Sequence, residues 1–295
     1  MSAPKILLFG KTGQLGSQLN KNLAHYNLEA FDYPEVDFND PGQLYELVIS
    51  LKPALIVNAA AYTAVDQAED HTKMAFRINA YAVEAIAQAA KMLNTPLIHY
   101  STDYVFDGKK DRLYTEIDHP NPINVYGKSK LLGEEKIIQS GADHLIFRLS
   151  WVYSNSHPCF LRSILDWSRI HETLRIVDDQ ISNPTWARLV AEKTAQIIEK
   201  SVGDWPAFFS QLNGIYHLVG KGAVSRFDWA KAILELDPNK TEQKTTELLR
   251  AKSADFQTPA QRPAFSGLDC TRFEKTFNID LPDWKLSLME AMREI

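Results

Sequence analysis

The chain has 295 residues, of which 45% are hydrophobic, 11% aromatic and 23% charged, with a formal net charge of −5. These are globular proportions for one large or two modest domains, which excludes disordered, collagen-like and coiled-coil organisations. The acidic balance, with no block of like charge, leaves no basic stripe for releasing phosphate counterions, so nucleic acid is not an expected partner.

Residues 5–9 read as a strand, and residues 15–23 as a helix that begins inside a glycine turn. A second strand over 28–31 leads to a helix over 43–51 and an apolar strand over 54–60. An Ala-rich helix over 74–92 precedes a strand over 96–100, and a helix over 125–139 precedes a strand over 145–149. Continuous apolar strands alternating with helices predict an α/β fold, a doubly wound parallel sheet of the Rossmann type covered on both faces. Ligands are then expected beyond the carboxyl ends of the strands. After about residue 150 the alternation weakens, prolines punctuate shorter segments, and all six tryptophans occur.

No apolar stretch approaches the ~20 residues needed to cross a bilayer, so no membrane partner is expected. The apolar run over 6–9 is too short for a signal-peptide core. Cys159 and Cys270 lie far apart and form no CxxC pair, which predicts no disulfide framework and a reducing, cytoplasmic setting. The eight histidines show no HxxxH or HExxH spacing, so no metal site is expected from them. His99, in an apolar strand, reads as a packed core histidine.

Gly10-Lys11-Thr12-Gly13-Gln14-Leu15-Gly16 follows the first strand and opens the first helix, using three of the chain's 13 glycines within seven residues. Gly10 suits a tight turn, Gly13 a close approach of backbone N–H groups to a pyrophosphate, and Gly16 close helix–strand packing. A diphosphate then sits at a helix N-terminus, where unpaired N–H groups and the helix dipole favour an anion. Asp32 closes the second strand, where a carboxylate accepts hydrogen bonds from ribose hydroxyls and repels a 2′-phosphate; Lys11 offsets part of that repulsion. NADH and NADPH both remain open as cofactors. The expected organisation is an NAD(P)-binding Rossmann domain over 1–150 and a smaller, mainly substrate-binding region over 151–295, with a segment near 184–200 returning to the first domain.

Tyr126 and Lys130 are four residues apart, which on a helix stacks them on one face. A phenol has a pKa near ~10, and a neighbouring ammonium lowers it towards useful acid–base range. Most such pairs are surface decoration, but here Thr102 sits upstream in a strand-to-loop segment at the sheet's ligand edge. Its hydroxyl is placed to bond a substrate carbonyl beside the Tyr126 phenol. Small residues after Asn58 leave room for a flat cofactor, or pack closely.

In this order the motifs resemble the extended short-chain dehydrogenase/reductase superfamily. "ILLFGKTGQLG", "IVNAAAYTAVD", "HYSTDYVFDG", "NVYGKSKLLGE", "HLIFRLSWVY", "GIYHLVG" and "TPAQRPAFSGL" are similar, within it, to the dTDP-4-dehydrorhamnose reductase family, over residues 6–268. The resemblance implies NAD(P)H-dependent reduction of the C4 ketone of dTDP-4-dehydro-β-L-rhamnose, a sugar-nucleotide substrate, to dTDP-L-rhamnose. It implies Tyr126 as proton donor, Lys130 as the ribose-binding residue that lowers the tyrosine's pKa, and Thr102 in the place of the superfamily's usual serine. Gly13, Gln14 and Leu15 match dinucleotide contacts, Asp32, Asp37 and Phe38 match ribose and adenine contacts, and Ala61, Tyr62 and Thr63 match contacts near the nicotinamide half. Thr102, Asp103 and Trp151 match substrate contacts, and Arg262 is the candidate phosphate clamp.

Some departures stand out. Gln18 and Arg188 occupy positions where some members hold Mg²⁺ at a dimer interface through glutamates, and a hard cation wants carboxylates, so Mg²⁺ is not expected and the chain is monomer or homodimer. The loop from Ser154 to Pro158 differs from the usual glycine- and asparagine-rich one, and Asp107 and Ser182 replace common proline and glycine. Thr102-Asp103-Tyr104 lacks the glutamate of the sugar-nucleotide dehydratases. Two other readings stay open: another sugar-nucleotide reductase or epimerase, and a non-catalytic regulatory subunit like the β subunit of methionine adenosyltransferase.

Overall fold

The computed structural model of the chain describes residues 4–295. Six parallel strands form the central sheet: β1 (Lys5–Phe9), β2 (Asn27–Phe31), β3 (Leu55–Asn58), β4 (Leu97–Thr102), β5 (His144–Leu149) and β6 (Gly214–His217). Their spatial order is β6-β5-β4-β3-β1-β2, with Leu8 opposite Ala30 on one side and Val57 on the other. β3, β4 and β5 are buried along their whole length, as unbroken apolar runs in a doubly wound sheet require. The order reverses at β1, so the ligand crevice lies beyond the carboxyl ends of β1 and β3.

Helix α1 (Gln14–Asn22) and helix α2 (Pro41–Leu51) follow β1 and β2. The Asp40 carboxylate caps α2 by accepting from Gln43 N–H at 3.1 Å, and Pro41 occupies its first turn, where no N–H is missed. The single helix expected over 74–92 is instead two helices joined by a π turn. α3 (Val65–Asp70) and α4 (Thr72–Phe76) lead into the π turn Arg77–Tyr81, and α5 (Ala82–Leu93) completes the segment. The π turn aims Asn79 inward, where its amide takes Tyr62 N–H at 2.8 Å and donates to the Tyr62 carbonyl and the Ser129 hydroxyl, both at 3.0 Å. Helical periodicity cannot distinguish such a bulge from a regular turn, and bulges of this kind recur at functional sites.

α6 (Val125–Ser140) is capped by Asn124, whose side chain accepts from Gly127 N–H at 2.7 Å, and ends at Gly141 in the left-handed region. It is tied to β5 by a deeply buried bidentate pair: Arg148 Nε and Nη2 donate to Glu134 at 3.0 and 2.6 Å. The Arg148 guanidinium also lies over the Phe106 ring at 5.1 Å.

The strand β6 lies in the second half and has no counterpart in the sequence reading, which stopped at five. α8 (Ala187–Lys200), after α7 (Phe160–Ser168), shares a core with α1: Val190, Ala191 and Ile197 join Leu15 and Leu19. α9 (Trp205–Leu212) and α11 (Thr271–Phe277) add Phe209 and Phe273 to that core. A separate core gathers Tyr153, Leu161, Trp229, Trp284 and Leu288 from α7, α10 (Arg226–Leu236) and α12 (Trp284–Met292). Among the described residues no helix is long and apolar enough to cross a membrane.

Candidate active site

A cavity of about 910 Å³ opens at the carboxyl ends of β1, β3 and β4, at the upper end of the ~300–1,000 Å³ common for small-molecule sites. At one end lies the glycine turn. A Cβ on Gly16 would stand 1.7 Å from the Gly10 carbonyl oxygen, so only glycine lets α1 start this close to the turn. Gly13 precedes α1 with no side-chain cap, which leaves the helix's first N–H groups free for an anion. Gly10, Gly13, Gln14 and Leu15 all border the cavity, whereas Gly16 lies behind it as packing.

Asp32, Asp37 and Phe38 border the same end. The Asp32 carboxylate accepts from Thr12 N–H at 2.9 Å and the Thr12 hydroxyl at 2.6 Å, which fixes the turn to the end of β2. Lys11 is paired with Glu35 at 2.6 Å. Ala61 and Thr63 line the middle of the cavity, but Tyr62 does not. Its backbone is clasped by Asn79, and its hydroxyl bonds the His71 ring at 3.0 Å.

Thr102, at the end of β4, and Tyr126, in the first turn of α6, meet in the cavity wall. Gly127 makes the approach possible, because a Cβ there would stand 2.2 Å from the Tyr104 carbonyl oxygen. Enclosure raises the Tyr126 pKa above its ordinary value, and the neighbouring Thr102 hydroxyl works against that rise. Lys130, one turn along α6, is buried and borders the cavity. Its ammonium donates to the Tyr100 carbonyl at 2.6 Å and lies 3.2 Å from His99 Nε2, so its contacts are on β4 and not with the phenol. Burial pulls the Lys130 pKa down to about 8, with Glu134 opposing. His99 is not merely packed: its other ring nitrogen meets Asn58 Nδ2 at 3.1 Å, which links β3 to the lysine.

Trp151 lines the cavity beyond Thr102 and Tyr126 with a positive φ of 38°, its ring stacked on Trp229 at 5.6 Å. The guanidinium of Arg226, at the start of α10, sits 3.9 Å from the Trp151 ring centre, and its charge lies close to Tyr104. Enclosure brings Arg226 down to about 10. Tyr104 packs edge-to-face on Tyr126 at 5.9 Å. Arg262 is not in the cavity wall; it forms a bidentate pair with Asp66 of α3 at 2.7 and 3.0 Å. Asp103 borders the cavity, but its carboxylate is turned into a nest of hydroxyls.

Arg226 and Tyr104 line the cavity beyond the residues that the motifs predict for the site. Tyr104 follows Asp103 in the same strand-end motif. Arg226 lies in no motif, and only the packing of α10 against Trp151 brings it to the cavity. Ser154 and His157, in the divergent loop, reach the glycine turn: Ser154 Oγ donates to Gln14 Oε1 at 3.1 Å, and His157 Nε2 meets the Thr12 carbonyl at 2.8 Å. Arg188 pairs with Glu192 and Glu294, and among the described residues no group of three or more metal-ligating side chains assembles.

Comparison with known proteins is consistent along the whole chain. Residues 4–295 match the family model described as RmlD substrate binding domain. The chain is similar to the dTDP-4-dehydrorhamnose reductase of Escherichia coli K12, with 40% identity over 98% of this chain and 97% of that protein. Among solved structures, the dTDP-4-dehydrorhamnose reductase of Bacillus anthracis, in complex with NADP, superposes with a TM-score of 0.88 and 30% identity over 100% of each chain. The Clostridium acetobutylicum dTDP-4-dehydrorhamnose reductase gives the same TM-score at 30% identity, over 98% of this chain and 99% of that one.

Proposed function

The chain belongs to the dTDP-4-dehydrorhamnose reductase family, and from that premise we infer that it reduces the C4 ketone of dTDP-4-dehydro-β-L-rhamnose to the alcohol, using NADPH or NADH. The observation that carries the mechanism is the meeting of Thr102 and Tyr126 in the wall of the cavity that the glycine turn and Asp32 border at its other end.

The residues present suit a dinucleotide: an uncapped α1 N-terminus for the diphosphate, Asp32 at the ribose position and small side chains at Ala59 to Ala61. When bound, the reduced nicotinamide supplies the hydride. Tyr126, kept protonated by its enclosed position, gives its proton to the oxygen that was the ketone. Thr102 stands beside that oxygen and steadies the developing charge. Lys130 exchanges its Tyr100 carbonyl contact for the ribose hydroxyls and places a positive charge behind the phenolate that Tyr126 becomes. Arg226 and Trp151 form the substrate end, a flat apolar wall with a cation against it. We assign Arg226, and not the Asp66-bound Arg262, as the cation available to the substrate's negative charge. Residues 1–150 then serve mainly the dinucleotide and the later segments mainly the sugar nucleotide, and two free cysteines suit the cytoplasm.

The direct test mixes purified protein with the 4-keto sugar nucleotide and either NADH or NADPH and follows absorbance. Oxidation with formation of dTDP-L-rhamnose supports the reading; no oxidation of either cofactor contradicts it, and favours a regulatory role.

Two further outcomes are expected. Lys130 is a cation below its value of about 8 and neutral above it. Because kcat/KM reports the free enzyme, kcat/KM for the dinucleotide should fall as pH rises through about 8, and a profile flat from about pH 7 to 9 argues against a needed ammonium. Arg226→Met keeps much of the packing on Trp151 but removes the charge. It should raise the sugar-nucleotide KM about 10- to 100-fold, as losing a charged hydrogen bond implies, with dinucleotide affinity unchanged. An unchanged KM removes Arg226 from substrate binding.

A further inference from the structure

Asp103 follows Thr102 directly, and its carboxylate is 2% exposed. Among the described residues no lysine or arginine bonds it; its four partners are hydroxyls. Oδ2 accepts from Ser266 Oγ at 2.5 Å and from Ser150 and Ser182 Oγ, both at 3.1 Å. Oδ1 accepts from Thr102 Oγ1 at 3.2 Å. The serine oxygens also lie within bonding distance of one another, Ser150–Ser182 at 2.5 Å and Ser266–Ser182 at 3.0 Å, and Ser182 Oγ is 3.1 Å from the Ser266 carbonyl, so three single-proton hydroxyls share their bonds between Oδ2 and one another.

Proton counting gives this cluster a direction. A threonine hydroxyl has one proton, and here it points to Asp103. The Thr102 oxygen therefore turns its lone pairs towards Tyr104 N–H, at 3.2 Å. The threonine oxygen is thereby held in the cavity wall, which Tyr126 shares, before any substrate arrives. The Thr102 bond is the longest of the four, and the serine hydroxyls, two donating to Oδ2 while the third bonds a neighbouring serine, satisfy Oδ2 without it. Thr102 can thus turn its proton to a ketone oxygen without stranding a buried carboxylate, whose desolvation would otherwise oppose the change. Ser150 follows β5, whereas Ser182 and Ser266 come from segments of the chain's second half, so the cluster forms only when those segments are seated on the end of β4.

We propose that Asp103 is a positioning residue for ketone reduction: its enclosed carboxylate orients Thr102 and makes that orientation depend on the seating of the Ser182 and Ser266 segments, without touching substrate. This rests on the reductase reading above. A positioning residue that acts through Thr102 loses its effect when the Thr102 hydroxyl is gone, whereas a substrate contact or a general structural role does not.

The test is a double-mutant cycle on the full-length protein. Asp103→Asn should lower kcat about 30-fold with KM within about three-fold, inside the range for contacting residues that act together. In a Thr102→Ala background the same change should cost less than about three-fold. Equal losses in both backgrounds, a loss carried mainly by KM, or no loss at all would overturn the proposal. Should Asp103→Asn fail to fold, Ser266→Ala replaces it in the cycle, with an expected loss of about five-fold that again disappears without Thr102; persistence of that loss has the same negative meaning. Failure of the reductase reading looks different, since wild-type protein then oxidises neither cofactor.

Discussion

Tyr126→Phe is expected to lower kcat about a thousand-fold while leaving dinucleotide affinity within about two-fold. The substitution deletes one oxygen and keeps the ring, which stays packed edge-to-face on Tyr104 at 5.9 Å. General acids contribute about 10²- to 10⁴-fold, and this one is a hydroxyl in the cavity wall that Thr102 shares. Enclosure raises its pKa, so the phenol holds its proton throughout the neutral range and is ready to donate as negative charge develops on the ketone oxygen. The loss should fall equally on kcat and kcat/KM for the sugar nucleotide, the pattern for an interaction made in the transition state. Single-turnover cofactor oxidation, together with a fluorescence titration of dinucleotide binding, separates the two quantities. Retention of a tenth or more of wild-type kcat would mean that another group supplies the proton, and weakened dinucleotide binding would mean that the phenol's work is in binding.

What the amino-acid order discloses here follows from how local each cause is. β1, β3, β4 and β5 are buried on both faces, so each is a continuous apolar run that announces itself. The glycine turn is equally local, because Gly16 answers a clash with Gly10 only six residues away. Tyr126 and Lys130 share a helix face by spacing alone, but the direction of the lysine's bonds does not follow from spacing: Tyr100 and His99 reach it from β4. β6 escaped notice because Gly214–His217 is four residues long and opens on glycine, too short for a periodicity to register. Arg226 and the serines around Asp103 lie beyond any local reading. Ser150, Ser182 and Ser266 are ordinary serines in sequence, and only the docking of three separated segments turns them into one carboxylate's shell. Arg262 illustrates the converse, since its place in a family-like motif suggested a phosphate clamp while Asp66, from α3, holds the guanidinium.

Glu134→Ala should destabilise the fold by about 3–5 kcal/mol, the largest stability loss expected from a single substitution near the site. Glu134 is 1% exposed and its partner Arg148 2%, so removing the carboxylate leaves a buried guanidinium whose Nη1 already lacks a hydrogen-bond partner. The stack on Phe106 cannot replace a bidentate pair at 2.6 and 3.0 Å. The position also matters to chemistry, because Glu134 lies one turn beyond Lys130 on the helix that carries Tyr126, and its charge opposes the fall in the lysine's pKa. Urea unfolding should show a lower midpoint with an unchanged slope, the signature of lost stability without a change in the surface exposed. The double variant Glu134→Leu/Arg148→Met removes both charges and fills the space. It should recover most of the loss, since a buried pair and a well-packed apolar replacement often differ little in free energy. A loss below about 1 kcal/mol for Glu134→Ala would mean that water or a neighbouring acceptor reaches Arg148, and that α6 is held on β5 by its apolar contacts alone.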